Sequence, residues 1–85
     1  MKSIYLDNAA TTKLAPEVAD AMIPVLSEVY GNPSSTHAVG RKAKALIETS
    51  RRDISKILEC EPRSITFTSG GTEADNLALR AAVLD

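Results

Sequence analysis

Ile65-Thr66-Phe67-Thr68-Ser69-Gly70-Gly71-Thr72-Glu73 is the most informative stretch of the chain. Its first four residues are β-branched or aromatic and predict a buried strand. Ser69-Gly70-Gly71-Thr72 breaks that strand, and the Ala- and Leu-rich run from Glu73 to Leu84 predicts a helix. Thr72-Glu73-Ala74-Asp75 fits the Ser/Thr-x-x-acid capping pattern, with Asp shorter than the usual Glu. A strand that passes directly into a helix over two glycines offers several backbone N–H groups at the positive end of the helix dipole. Glycine also permits φ > 0 and removes side-chain bulk, and the Thr72 hydroxyl adds a donor. A phosphate dianion fits such a place. The lysine of a nucleotide P-loop is missing and no G-x-G-x-x-G occurs, so neither nucleotide fingerprint applies. A tight turn with Thr72 as an ordinary cap explains the same pattern, and the pattern alone favours it.

Upstream, Glu61-Pro62-Arg63-Ser64 predicts a turn, and before it lies the strongest periodicity of the chain. Val39, Ala43, Leu46, Ile47, Ser50, Ile54, Ile57 and Leu58 step at three to four residues, which predicts an amphipathic helix from about Thr36 to Leu58. Ser35 or Thr36 suits its cap, and Glu48 and Arg52 stand in the favourable i,i+4 order. Gly31-Asn32-Pro33-Ser34-Ser35 reads as a loop that ends an earlier helix. That helix begins at Pro16, with Glu17 and Asp20 complementing its dipole and Val18, Met22, Val25, Leu26 and Val29 at helical spacing. Pro24 inside it is expected to kink or interrupt it. Ile4-Tyr5-Leu6 reads as a short strand, followed by the small residues Ala9-Ala10-Thr11-Thr12. Strand, helix, helix, strand, helix is the order of an α/β architecture, here helix-dominated with about three helices and one or two short strands.

Composition narrows the function classes. The 85 residues hold 10 Lys plus Arg and 11 Asp plus Glu, a net charge of -1, which argues against a nucleic-acid face or a polybasic membrane anchor. With 44% hydrophobic residues the chain is globular in type, yet aromatics are only 4%. One Cys and one His make neither a disulfide nor a zinc ligand set, so no metal is expected. No export signal or membrane span is read, and the free thiol fits a cytoplasmic setting. A chain this short without a staple reads as a single incomplete domain over 1–85. His37 reads as an ordinary first-turn histidine, and Cys60, between Glu59 and Glu61, as a spectator thiol whose carboxylate neighbours disfavour the thiolate. Asp7 and Asn8 read as turn formers, and Lys2, Lys13, Lys42, Lys44 and Lys56 as surface lysines.

Three segments in order carry more than composition does: YLDNAATT (Tyr5 to Thr12), YGNPSSTHAVG (Tyr30 to Gly40) and ITFTSGGTEADNLAL (Ile65 to Leu79). Together they resemble the start of a cysteine desulfurase of the NifS/IscS-like group, class-V enzymes of pyridoxal-phosphate fold type I. The resemblance spans essentially the whole chain. It implies an enzyme that takes sulfur from L-cysteine, giving alanine and an enzyme persulfide, for iron–sulfur clusters and other thio-cofactors. It also implies that the residues matching Gly71 and Thr72 bind the phosphate of pyridoxal 5'-phosphate, Gly71 through its backbone. Glu73 and Asn76 match family positions and read as a dipole-complementing acid and a helix-surface amide. Asn8 to Thr12 match a segment near the active-site mouth and carry no assigned chemistry.

Enzymes of this kind are several times longer. The resemblance places the lysine that bonds the cofactor and the cysteine that carries the persulfide beyond the residues present here. Cys60 does not match the latter, so the catalytic set within this chain is expected to be empty. The chain by itself is expected to be inactive, to leave the cofactor unbound and to self-associate through its uncovered apolar faces. In the parent, the expected partners are L-cysteine, an iron–sulfur scaffold or other sulfur acceptor, and a second copy. The alternatives are a selenocysteine lyase or other class-V enzyme, and a non-catalytic self-associating fragment.

Overall fold

A computed structural model describes residues 2–84. α1 spans Pro16–Glu28, α2 Ala38–Leu58 and α3 Gly71–Leu84, with a 3-10 turn at Pro62–Ser64. The helices fall into two units, one reaching to Leu46 and one starting at Ile47, and α2 contributes to both.

α1 starts where Pro16 supplies a helical φ and loses no needed N–H. It continues through Pro24, so of the expected kink or interruption the interruption does not occur. The donor that Pro24 lacks would have served Asp20, and Asp20 is exposed, so solvent can take that carbonyl. Closure comes from the Val29 N–H, which donates to the Val25 carbonyl at 3.0 Å.

The loop from Gly31 to His37 folds back on the first turn of α2. Asn32 organises it, its Oδ1 accepting the Ser34 N–H and its carbonyl the Ser35 N–H, both at 2.9 Å. A Cβ added at Gly40 would sit 2.5 Å from the Asn32 carbonyl oxygen, and one at Gly31 would collide with the Val39 carbonyl. Glycine at both places is therefore demanded by packing. The cap of α2 is neither Ser35 nor Thr36. His37 Nδ1 accepts the Gly40 N–H at 3.3 Å, in the position where a Ser or Thr oxygen usually acts.

Along α2 the buried positions are Gly40, Ala43 and Ser55, with Ile47, Glu48, Ser50, Arg51 and Ile54 half-buried. Ile57 and Leu58, expected on the buried stripe, are exposed. Ser55 takes the inner place because its hydroxyl donates to the Arg52 carbonyl at 2.7 Å and needs no outside partner. The helix ends in a Schellman motif: the Cys60 N–H reaches the Ser55 carbonyl at 3.0 Å and the Glu59 N–H reaches Lys56 at 3.4 Å. Glu59 takes the left-handed conformation there, φ 54°.

No strand forms among the described residues, so the expected α/β order is seen only as its helices. Ile4 to Leu6 and Ile65 to Thr68 lack a ladder. A strand exists only through a neighbour's N–H and C=O groups. At Ile65 the carbonyl is taken by the Arg51 side chain.

Candidate functional site

The site is built where the unladdered segment meets α3. Ile65 turns out of the 3-10 turn with extended backbone, its N–H on the Pro62 carbonyl at 3.1 Å. Arg51 receives the segment. Its Nη1 donates to the Ile65 carbonyl, and its guanidinium carbon lies 4.8 Å from the centroid of the Phe67 ring. Glu48 braces the same guanidinium at 3.2 Å from Nε. The expected partner of Glu48 was Arg52, but Arg52 Nη2 donates to Thr49 Oγ1 at 3.2 Å. An i,i+3 pair wins because Arg51 is drawn inward by Ile65 and Phe67, and the carboxylate follows it.

Beyond Thr68 the chain tightens. Thr68 Oγ1 donates to the Gly70 carbonyl at 3.0 Å, and that carbonyl also accepts the Ala74 N–H at 3.1 Å. Glu73 reaches back: its Oε2 accepts the Ser69 hydroxyl at 2.5 Å and the Ser69 N–H at 3.1 Å. Capping thus runs between Ser69 and Glu73, three and two residues earlier than the expected Thr72 and Asp75. Geometry explains the shift, because α3 begins at Gly71 and Glu73 occupies its third position. The Ser69 hydroxyl, and next its N–H, hold the Glu73 carboxyl below the ordinary 4.5.

Gly71 and Thr72, expected in the break ahead of a helix starting at Glu73, are the first two residues of α3. The first helical donor with a carbonyl partner here is Ala74, which leaves the N–H groups of Gly71, Thr72 and Glu73 without an intrahelical acceptor. The Thr72 carbonyl accepts Asn76 Nδ2 at 2.8 Å, so Asn76 is a surface amide folded back on its own helix.

Neither Gly70 nor Gly71 uses positive φ, a correction to the reason first given for glycine. Nor does packing explain them, since a Cβ at either would meet nothing within 4 Å. What glycine leaves is an absence of side chain beside amides that lack an intrahelical acceptor. Amides of this kind can receive a phosphate group, and the residues present are compatible with one. Glu73 is the element that residue patterns under-read: its spacing of four from Ser69 was visible, but the helix start that makes the spacing matter was not.

Cys60 is free and exposed. Asp7 and Asn8 open a turn in which the Asp7 carbonyl accepts the Ala10 and Thr11 N–H groups at 3.1 and 3.3 Å. The Tyr5 hydroxyl lies 2.5 Å from Thr11 Oγ1 and closes that turn. Among the described residues no group of three His, Cys, Asp or Glu side chains is placed to hold a metal ion, and no helix is long and apolar enough to cross a membrane.

Comparison with known proteins gives the same family. Residues 4–84 match the model of the family described as aminotransferase class-V. A cysteine desulfurase of Trichormus azollae is 49% identical over 84 residues, 99% of this chain and 21% of that protein. The cysteine desulfurase IscS of Neisseria meningitidis serogroup C is 49% identical over 80 residues, 93% of this chain and 20% of its own length. A selenocysteine lyase of Bos taurus is 45% identical over 82 residues, 96% of this chain and 19% of that enzyme. The chain therefore spans about a fifth of the curated relatives it matches.

Proposed function

Because the chain belongs to the aminotransferase class-V family, we propose that it is part of a cysteine desulfurase of pyridoxal-phosphate fold type I. The observation that supports this best is the pair of glycines facing open space before unengaged amides, inside a segment shared with cysteine desulfurases. The 85 residues are one incomplete domain of that enzyme.

The Gly71 amide, the Thr72 amide and the Thr72 hydroxyl grip the phosphate of pyridoxal 5'-phosphate. When bound, the cofactor supplies an electron sink for the bond changes at the substrate carbon. The substrate is L-cysteine. A cysteine thiolate elsewhere in the enzyme attacks its sulfur, leaving alanine and an enzyme persulfide, and the sulfur passes to an iron–sulfur scaffold or other acceptor. Within this chain no residue touches the reacting atoms. Glu73 keeps the turn closed through Ser69, and its own negative charge weakens the grip of the amides on a dianion. With about a fifth of its relatives' length, the chain by itself leaves the cofactor unbound. The enzyme works in the cytoplasm as a homo-oligomer.

A selenocysteine lyase is the second reading, supported by the 45% identity to the bovine enzyme. Both share this phosphate grip and differ in residues that choose between sulfur and selenium.

The test is made on the whole enzyme. Thr72→Val combined with Gly71→Leu removes a hydroxyl donor and puts a side chain beside the amides, and should weaken pyridoxal 5'-phosphate retention at least about tenfold. Visible absorbance after dialysis reads it. Retention equal to the parent's would remove Gly71 and Thr72 from the site.

A further inference from the structure

Arg51 is the one long cation drawn inward in its unit, with a side chain 21% exposed. Three different groups engage it: the Glu48 carboxylate, the Ile65 carbonyl and the face of the Phe67 ring. The last two belong to a segment fourteen or more residues further along the chain, which no backbone ladder holds among the described residues. That segment leads directly into Ser69-Gly70-Gly71-Thr72. Position and direction of the orphaned amides therefore depend on where residues 65–68 are held.

We propose that Arg51 is a positioning residue for the phosphate grip: it pins the extended segment at Ile65 and Phe67 and so aims the amides of Gly71 and Thr72. The inference rests on the phosphate reading given above and adds a residue on α2, twenty positions from the grip. Arginine is suited to the task in a way lysine is not. A planar guanidinium lies flat on an aromatic face while its edge N–H groups donate in the ring plane to a carbonyl and a carboxylate. A lysine ammonium has three donors but no plane, so it cannot lie flat on the ring while bonding both acceptors edge-on. Glu48 completes the device by fixing the plane of the guanidinium through two contacts, 3.2 Å at Nε and 3.5 Å at Nη2. Phe67 is 45% exposed even so, because its ring is covered by the cation on one face and not by a core.

Hydrogen exchange and nuclear magnetic resonance on the whole enzyme, freed of its cofactor, test the pin with two readouts, using inorganic phosphate as the probe. Amide hydrogen exchange at Phe67 to Gly70 reports how firmly the segment is held, and phosphate-induced shifts of the Gly71 and Thr72 amides report their aim. Arg51→Met keeps the stem and removes the fork, and should speed that exchange about tenfold and reduce the phosphate response severalfold, with helix content by circular dichroism retained. Arg51→Lys should recover only part of either effect. Phe67→Leu leaves α2 untouched and should reproduce the faster exchange, which guards against Arg51→Met acting through a damaged helix. Unchanged exchange in Arg51→Met and Phe67→Leu overturns the pin. Faster exchange with an unchanged phosphate response keeps the pin and overturns the aiming role. If phosphate fails to move the amides of the unsubstituted whole enzyme, the phosphate reading is what falls, and exchange alone then decides whether Arg51 holds the segment.

Discussion

Glu73 carries the residue-scale consequence that solution measurement reaches most directly. Its carboxylate accepts two hydrogen bonds from Ser69, and its pKa in the fold lies below its ordinary 4.5. A carboxyl group depressed in the folded state stabilises the fold at pH above its unfolded value, and that contribution disappears as pH falls through the folded value. Ordering of Ser69 to Gly71 should therefore hold from neutral pH down to about 4.5 and weaken below it. The Ser69 amide resonance should titrate with the Glu73 carboxyl. Glu73→Gln keeps an acceptor without the charge and should abolish the titration; a Ser69 resonance that still moves in that variant would refute the link. The break at Ser69 to Thr72 ahead of a helical run was legible from residue order, whereas the pattern alone favoured an ordinary cap there and only the family resemblance pointed Gly71 and Thr72 at a phosphate. Arg51 was not legible. Nothing local separates it from Arg52, its neighbour on the same helix, and the choice is made by Ile65 and Phe67.

At the scale of elements the helices were legible to within two residues at each end. Thr36 to Leu58 is observed as Ala38–Leu58, and Glu73 to Leu84 as Gly71–Leu84. Helices depend on contacts three and four residues apart, and the side chains that set them lie inside the window being read. Their ends are harder. The cap of α2 passed to His37, and the C-terminus of α2 uses Glu59 in a conformation that usually belongs to glycine. A non-glycine residue there sacrifices roughly 1 kcal/mol against the Cβ–carbonyl contact. Glu59→Gly should consequently raise stability by about 0.5–1 kcal/mol, read as a higher urea midpoint of the helical signal. A lower midpoint would mean that the Glu59 side chain makes a contact worth more than the strain.

Across the whole molecule the accessible surface is 7673 Å². A packed monomer of 9.1 kDa exposes roughly 4900 Å². Ala43 is the one buried hydrophobic residue among those described, and α3 has no buried residue at all. Leu79, Val83 and Leu84 with Arg80 line an open hollow of about 400 Å³ on α3. Its last eight residues, Leu77 to Leu84, include one polar side chain, the composition of a helix covered on every side. The purified chain should therefore self-associate, and light scattering should give a mass above 9.1 kDa that rises with concentration. Leu79→Glu with Val83→Glu should weaken that association by roughly tenfold or more. A stable monomer with cooperative unfolding would contradict it.

By itself the amino-acid order determined the three helices, the Gly70-Gly71 pair at the start of α3 and the family that those segments share. All of these are written in neighbours a few positions apart. Tertiary structure decided the rest: that residues 65–68 stay unladdered, that Arg51 and not Arg52 meets Glu48, and that Ser55 goes inward while Ile57 stays out. The physical reason is range. An i,i+4 preference is complete within one turn of helix, whereas a bond from residue 51 to residue 65 exists only after the chain has returned to meet itself.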